Sequence, residues 1–459
     1  MVNSGDTAWV LASAALVMLM TPGLAFFYGG MVRSRSVLNM LMMNFIALAV
    51  VSVLWMLYGF SLSFSNDAFG GLLGNFDFVG LTDAVGKVAG FAAAGPPEVP
   101  WPGPDAIPVL AFVMFQLMFA VITPALISGS IADRAKFWSW VVFLVLWATV
   151  VYFPVAHWVF SFNGFMGVDA AGGWIANNLK ALDFAGGTAV HINAGAAGLA
   201  LAIVLGRRKG WPKDAPRPHN VPFVLLGASL LWFGWYGFNA GSALTAGDLA
   251  GVAFTNTTVA TAAAVLGWLI TEQIKYGKPT TLGAASGAVA GLVAVTPACG
   301  YVNMWGALVI GVVAGAVCAL AVSLKYRFGF DDSLDVVGVH LFGGLVGTLL
   351  IGFFSDKSVN TASVGDDGLF LGGGLTQLGR QAVAAGAVLG YSFVLTLIIG
   401  MLIKFTIGFR VSEEAETVGI DEAEHKETGY DFGGFGGGGG QGIGAAQPVK
   451  ATVLEETKA

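Results

Sequence analysis

Eleven stretches of roughly twenty apolar residues dominate the chain, at about 8–29, 38–64, 106–128, 137–159, 184–205, 221–244, 250–272, 281–299, 304–324, 335–354 and 380–404. A helix needs about twenty such residues to cross the hydrocarbon core of a bilayer. Only helices or closed barrels satisfy every backbone hydrogen bond there. The chain therefore reads as an all-α polytopic membrane protein with eleven transmembrane helices. Composition agrees: 56% of the 459 residues are hydrophobic and 11% are charged, against about 25% charged in soluble domains. Sixty-six glycines suit close helix packing in a membrane. A net charge of −6 is not the footprint of a nucleic-acid binder. Two cysteines, Cys299 and Cys318, make no disulfide framework and are expected as free thiols.

Loop charge sets the orientation. One side carries Arg33, Arg35, Arg134, Lys136, Arg207, Arg208, Lys209, Arg217, Lys275, Lys278, Lys325 and Arg327. The other carries Lys87, Lys180, Lys357 and Arg380. By the positive-inside rule the first side is cytoplasmic, so the N-terminus is outside and the C-terminus inside. No Lys or Arg precedes Arg33, so the first segment reads as a retained span rather than a cleaved signal. The long outer loop at 65–105 carries Asp67, Asp77, Asp83, Glu98 and Asp105 against Lys87. It reads as a solvated loop, or as a weak cation-attracting mouth. Residues 1–405 are then one transmembrane domain. Residues 406–432 are expected as a cytoplasmic arm, and 433–459 as a glycine-rich disordered tail.

A pattern D-x7-H-x3-G-x2-G occurs twice, 149 residues apart: Asp183, His191, Gly195, Gly198, and Asp332, His340, Gly344, Gly347. The copies lie on the fifth and tenth segments. Five spans per half makes the halves inverted, about 8–205 and 221–354, with a final helix at 380–404. In inverted repeats the substrate site lies near the midplane between the halves. Eight helical residues cover about 12 Å, so each histidine lies about midway through a core about 30 Å thick. The symmetry brings both imidazoles together, where neutral rings can share one N–H···N bond. Two other readings are separate satisfaction of each histidine by its neighbours, and bis-histidine haem ligation.

Other segments add aromatics: Phe115, Gln116 and Phe119 on the third, and Trp232, Trp235, Phe238, Asn239 and Ser242 on the sixth. On the first, a kink is expected at Pro22, followed by Phe26, Phe27 and Tyr28. Singly, such residues are most often lipid-facing or packing groups. Together they describe a site that attracts a small cation through ring faces, by about 0.5–2 kcal/mol each. An apolar bore beyond excludes hydrated ions. The substrate is then a cation able to shed its charge, such as ammonium or a methylated amine.

DFAGGTAVHINAG resembles the signature of ammonium transporters (the Amt/Mep/Rh superfamily), and DDSLDVVGVHLFGGLVG resembles that family's tenth helix. WYGFNAGSAL, VTPACGYVNMWGAL and GLAFFYGGMVRSRSVLNM are similar to further family segments, so the resemblance covers about 5–430 and is of the bacterial Amt type. It implies a homotrimer with one path per subunit. His191 and His340 would be the paired pore histidines, Phe119 and Phe238 the stacked gate, and Trp235, Phe27 and Tyr28 pore-lining. Ser242, Phe119 and Phe160 would form the outer recruitment site, supported by Asp183, whose alternative role is to cap the fifth helix. Bacterial relatives often carry tryptophan where PVAHWVF has Phe160, a weaker cation–π partner, which implies a weaker outer site. The resemblance implies ammonium uptake across the plasma (inner) membrane, with methylammonium as analogue and ammonia conducted with or without a separate proton. It also implies a possible PII-type regulator on the cytoplasmic face. The rivals are an ammonium sensor with little flux and a neutral gas channel of Rhesus type. No enzyme, metal or cofactor is expected, since the sequence shows no metal-ligand cluster and no nucleophile–base pair.

Overall fold

The computed structural model describes residues 2–91, 105–213 and 217–430. The glycine-rich segment from 433 onward and Glu98 lie outside the described residues. In chain order the apolar segments form α1 (Ser4–Met31), α2 (Val37–Phe64), α3 (Val109–Ile131), α4 (Phe137–Phe160), α5 (Gly187–Leu205), α6 (Val221–Ala243), α7 (Asp248–Tyr276), α8 (Thr281–Val295), α9 (Met304–Phe328), α10 (Val337–Phe354) and α11 (Thr376–Thr406). Among the described residues ten of these are long and apolar enough to cross a membrane. The exception is α8, with 15 residues against the 281–299 expected. It ends just before Pro297, which has no N–H to donate to the carbonyl four residues earlier, while Thr296 before it still has helical φ and ψ of −48° and −51°. By contrast α7 and α11 outrun their apolar stretches, because polar residues such as Gln273, Lys275, Thr376 and Gln377 continue the helix. α1 stays continuous through Pro22.

Four helices contain a widened turn with i→i+5 bonding: Trp55–Gly59 in α2, Ala148–Tyr152 in α4, Gly187–Ile192 at the start of α5 and Val337–Leu341 at the start of α10. Such turns are rare and concentrate at functional sites. Periodicity in the sequence carries no sign of them.

Small residues let the helices cross closely. A Cβ on Gly227 of α6 would lie 2.2 Å from the backbone nitrogen of Phe27 on α1. This contact sets the α6 face that carries Trp235 and Phe238. Between α2 and α3, β1 (Val88–Ala89) pairs antiparallel with β2 (Ile107–Pro108). Asp67 lies 3.3 Å from Nε2 of His157 and is therefore partnered. Cys299 and Cys318 are free and buried.

After α11 the chain turns back along its own loops. Asp421 accepts from the backbone N–H of Leu38 and Asn39 at 3.0 and 2.8 Å, and Glu424 from that of Phe137 at 3.0 Å. These carboxylates sit on the N-termini of α2 and α4, where the helix dipole favours negative charge. Glu416, on α12 (Glu413–Val418), accepts from the Lys209 N–H at 2.6 Å and from Arg410 at 2.7 Å.

Candidate functional site

Each histidine enters the protein on a capped, widened turn. One oxygen of Asp183 accepts from the N–H of Gly186 and Gly187 at 2.7 and 2.8 Å. The other accepts from the Thr188 N–H at 2.8 Å and from the Thr188 hydroxyl. Asp332 does the same for α10, accepting from Val336 and Val337 at 3.1 and 2.8 Å. The repeated aspartate is thus a helix cap in both copies, satisfying N–H groups that a helix start leaves unpaired.

The repeated glycines mark where α5 and α10 cross. A Cβ on Gly195 would stand 2.4 Å from the nitrogen of Leu341, and one on Gly344 would stand 3.1 Å from Cβ of His191. Each glycine lies four residues after its own histidine and receives the other histidine's turn.

This crossing places Nδ1 of His191 3.3 Å from Nδ1 of His340. The rings are 5.4 Å apart and 20° from parallel, and both residues are buried. The contact leaves no room for a macrocycle between the rings, which removes the haem reading. Among the described residues no group of three or more His, Cys, Asp or Glu is placed to hold a metal. Nε2 of His191 is buried without a hydrogen-bond partner. Trp235 stacks on His191 at 5.5 Å and 18°. Its N–H donates to the Thr296 hydroxyl at 2.8 Å, and that hydroxyl lies 3.2 Å from Oδ1 of Asn239.

The two imidazoles and Trp235 edge a cavity of about 10 Å³, room for roughly one water-sized molecule. Its walls are apolar: Met20, Leu24, Ile122, Leu126, Leu231 and Val289. None of these six stood out in the sequence, where an aliphatic residue in a span looks like any lipid-facing one. Helical spacing could have found several. Leu231 is four residues before Trp235, and Ile122 and Leu126 follow Phe119 by three and seven, the spacing of one helix face. Phe27 and Tyr28 do not line this cavity; from α1 it is Met20 and Leu24 that do. The Tyr28 hydroxyl instead donates to the carbonyl of Leu126 at 3.1 Å.

Beside the cavity, Phe119 and Phe238 stack face to face at 4.2 Å and 15°. Phe160 meets Phe119 edge-on at 6.1 Å and 80°. Phe238 lies 5.4 Å from Trp235 and 6.2 Å from His191. Aromatic rings therefore run without a break from Phe160 to the histidine pair. Ser242, half-buried, donates its hydroxyl to the carbonyl of Phe238 at 2.8 Å, which leaves its oxygen lone pairs for an N–H donor.

A family model described as the Ammonium Transporter Family matches residues 8–430. An ammonium transporter of Mycobacterium tuberculosis is 61% identical over 94% of this chain and 91% of its own length. One from Bacillus subtilis is 46% identical over 93% and 98%. Among solved structures, Mep2 of Saccharomyces cerevisiae superposes with a TM-score of 0.78 at 34% identity, covering 90% of this chain and 88% of that one. A sensor Amt protein gives 0.80 at 28% identity, covering 92% and 98%. Likeness of this extent, in sequence and in fold, makes the chain a multi-pass membrane protein that belongs to the ammonium transporter family.

Proposed function

We propose that the chain takes up ammonium by recruiting NH4+ at Ser242, Phe160 and Phe119 and passing it, as NH3, beside the histidine pair. The observation that carries this reading is the neighbourhood of His191 and His340: a small apolar cavity next to the stacked Phe119–Phe238 pair. A bare ion placed there would lose its hydration with no charged group to replace it. A neutral amine can donate to one imidazole nitrogen and accept from another. The N–H bond of NH4+ breaks on the solvent side of the aromatic gate, where vestibule water takes the proton and NH3 goes on past Phe119 and Phe238. Asp183, whose oxygens are occupied as a cap, supplies a fixed negative charge nearby and not a free base.

The reading extends to the whole assembly. The eleven helices form two inverted five-helix halves and a last helix, with the N-terminus outside and the C-terminus inside the plasma membrane. The reciprocal capping and glycine contacts of α5 and α10 support that inversion. Three copies associate, and the arm at 406–432 presents a cytoplasmic surface for a PII-type trimer. A pull-down with and without ADP tests that last element, and absence of binding in both states counts against it. A second reading, ammonium sensing with little flux, draws on the likeness to the sensor Amt protein.

The deciding experiment records current and internal pH in proteoliposomes after an ammonium pulse. Current lost in His340→Ala means charge moves along the histidine path. A pH change without current means neutral ammonia conduction, and silence in both favours the sensor.

A further inference from the structure

We propose that Gln381, which lies outside the bore, is a positioning residue that sets the register of the histidine pair; this rests on the conduction reading above. Gln381 is fully buried on α11. Its Oε1 accepts from the Leu182 N–H at 2.7 Å, and its Nε2 donates to the Leu182 carbonyl at 2.7 Å. Nε2 also lies 3.2 Å from the carbonyl of Thr348 on α10. Gln377, one turn earlier, donates to the same Oε1 at 2.9 Å, so the amide has one orientation that satisfies all its partners.

The position of these partners gives the clamp its meaning. Leu182 directly precedes Asp183, the cap of the turn that holds His191. Thr348 lies eight residues beyond His340 on the same helix. One side chain thus ties the start of α5 to α10 at a point remote from the cavity. The second copy of the repeat has a clamp at the equivalent residue. Asp331, directly before the cap Asp332, is gripped by Arg208 at 2.9 Å, and its carbonyl accepts from Arg134 at 2.5 Å. The chemistry of the two clamps differs while their place in the repeat is the same. The Nδ1–Nδ1 contact of 3.3 Å is already at the long end of a hydrogen bond, so a shift of a few tenths of an ångström in either helix breaks it.

A buried amide that is merely satisfied would cost stability when replaced and leave the pore chemistry alone. Gln381→Met and Gln381→Glu in the full chain separate the two roles. In Gln381→Met the amides at 186–189 are expected to exchange hydrogen at least about tenfold faster, with protection elsewhere unchanged. Ammonium-over-potassium selectivity in proteoliposomes is expected to drop about tenfold, the loss of one hydrogen bond's worth of discrimination. Gln381→Glu is expected to keep selectivity in acid, where the protonated acid can still donate to Leu182. It should lose selectivity as pH rises and a carboxylate faces that carbonyl. Unchanged exchange at 186–189, unchanged selectivity, or a flat pH profile in Gln381→Glu overturns the proposal. Should Gln381→Met not fold, Gln381→Glu compared in acid and at neutral pH gives both readouts within one protein. A wild-type chain that conducts no ammonium removes the conduction reading, and exchange at 186–189 still decides whether Gln381 is a clamp.

Discussion

Nδ1 of His191 and Nδ1 of His340 face each other at 3.3 Å, so one ring must donate and the other accept. A neutral imidazole protonated on Nδ1 has a bare Nε2, while its partner, with a bare Nδ1, carries its proton on Nε2. The shared bond therefore fixes opposite characters at the two outer nitrogens. One accepts and one donates, which is what a molecule with both N–H groups and a lone pair requires.

Removing one ring breaks that complementarity. His340→Ala is expected to widen the bore and lower ammonium-over-potassium selectivity by about tenfold or more, the worth of one or two hydrogen bonds. Ion-substitution currents in proteoliposomes check this. Retention of wild-type selectivity would falsify a role for the pair in excluding ions.

Phe160 stands edge-on to Phe119 at 6.1 Å. A tryptophan there offers a larger, more electron-rich face to a cation, and cation–π strengths at partly exposed sites are about 0.5–1 kcal/mol. Phe160→Trp should lower the half-saturating concentration for methylammonium uptake roughly two- to fivefold. An unchanged half-saturation removes Phe160 from the cage.

Much of this site was legible because its chemistry breaks the rule of the medium. Histidines and aspartates in an apolar chain are costly unless they are paired, so the D-x7-H repeat announced a pair. Phe119, Phe238 and Ser242 carried no such signal singly, since aromatic rings suit lipid and packing alike; only their combination and the family resemblance singled them out. The cavity walls did not stand out, since Leu24 and Val289 have side chains that suit lipid and bore equally. Phe27 and Tyr28 show the converse: they are conspicuous in sequence, and neither lines the cavity between the helices. The widened turns at 187–192 and 337–341 depend on tertiary capping by Asp183 and Asp332. No local propensity encodes them. The apolar run continues on both sides of Pro297, so composition alone overstates the length of α8.

Asp183 is expected to matter for folding. Its two oxygens satisfy the N–H of Gly186, Gly187 and Thr188 together with the Thr188 hydroxyl. Asp183→Ala orphans several buried donors, each worth about 1–3 kcal/mol. The expected result is a lowered melting temperature in detergent and little folded protein at the membrane. Asp183→Asn, which keeps an acceptor, should lie between the two. Equal stability of the alanine variant and wild type would reduce the cap to a bystander.

The matching cap at the other helix gives a pH signature. Burial pushes the Asp332 carboxyl up to about 6 against the partial compensation of Lys325, with Asp335 adding to the rise. A carboxyl whose folded value lies above its unfolded one near 3.8 favours folding most when protonated. Its contribution is complete below about pH 4 and is lost as pH rises through about 6. Asp332→Asn cannot ionise, so the stability gap between it and wild type should shift in the variant's favour across pH 4–6, by roughly 1–3 kcal/mol. Thermal melts of both proteins at half-unit pH steps measure the gap. A gap constant across the window would mean that the ionised cap, held by the N–H of Val336 and Val337, offsets its own burial completely.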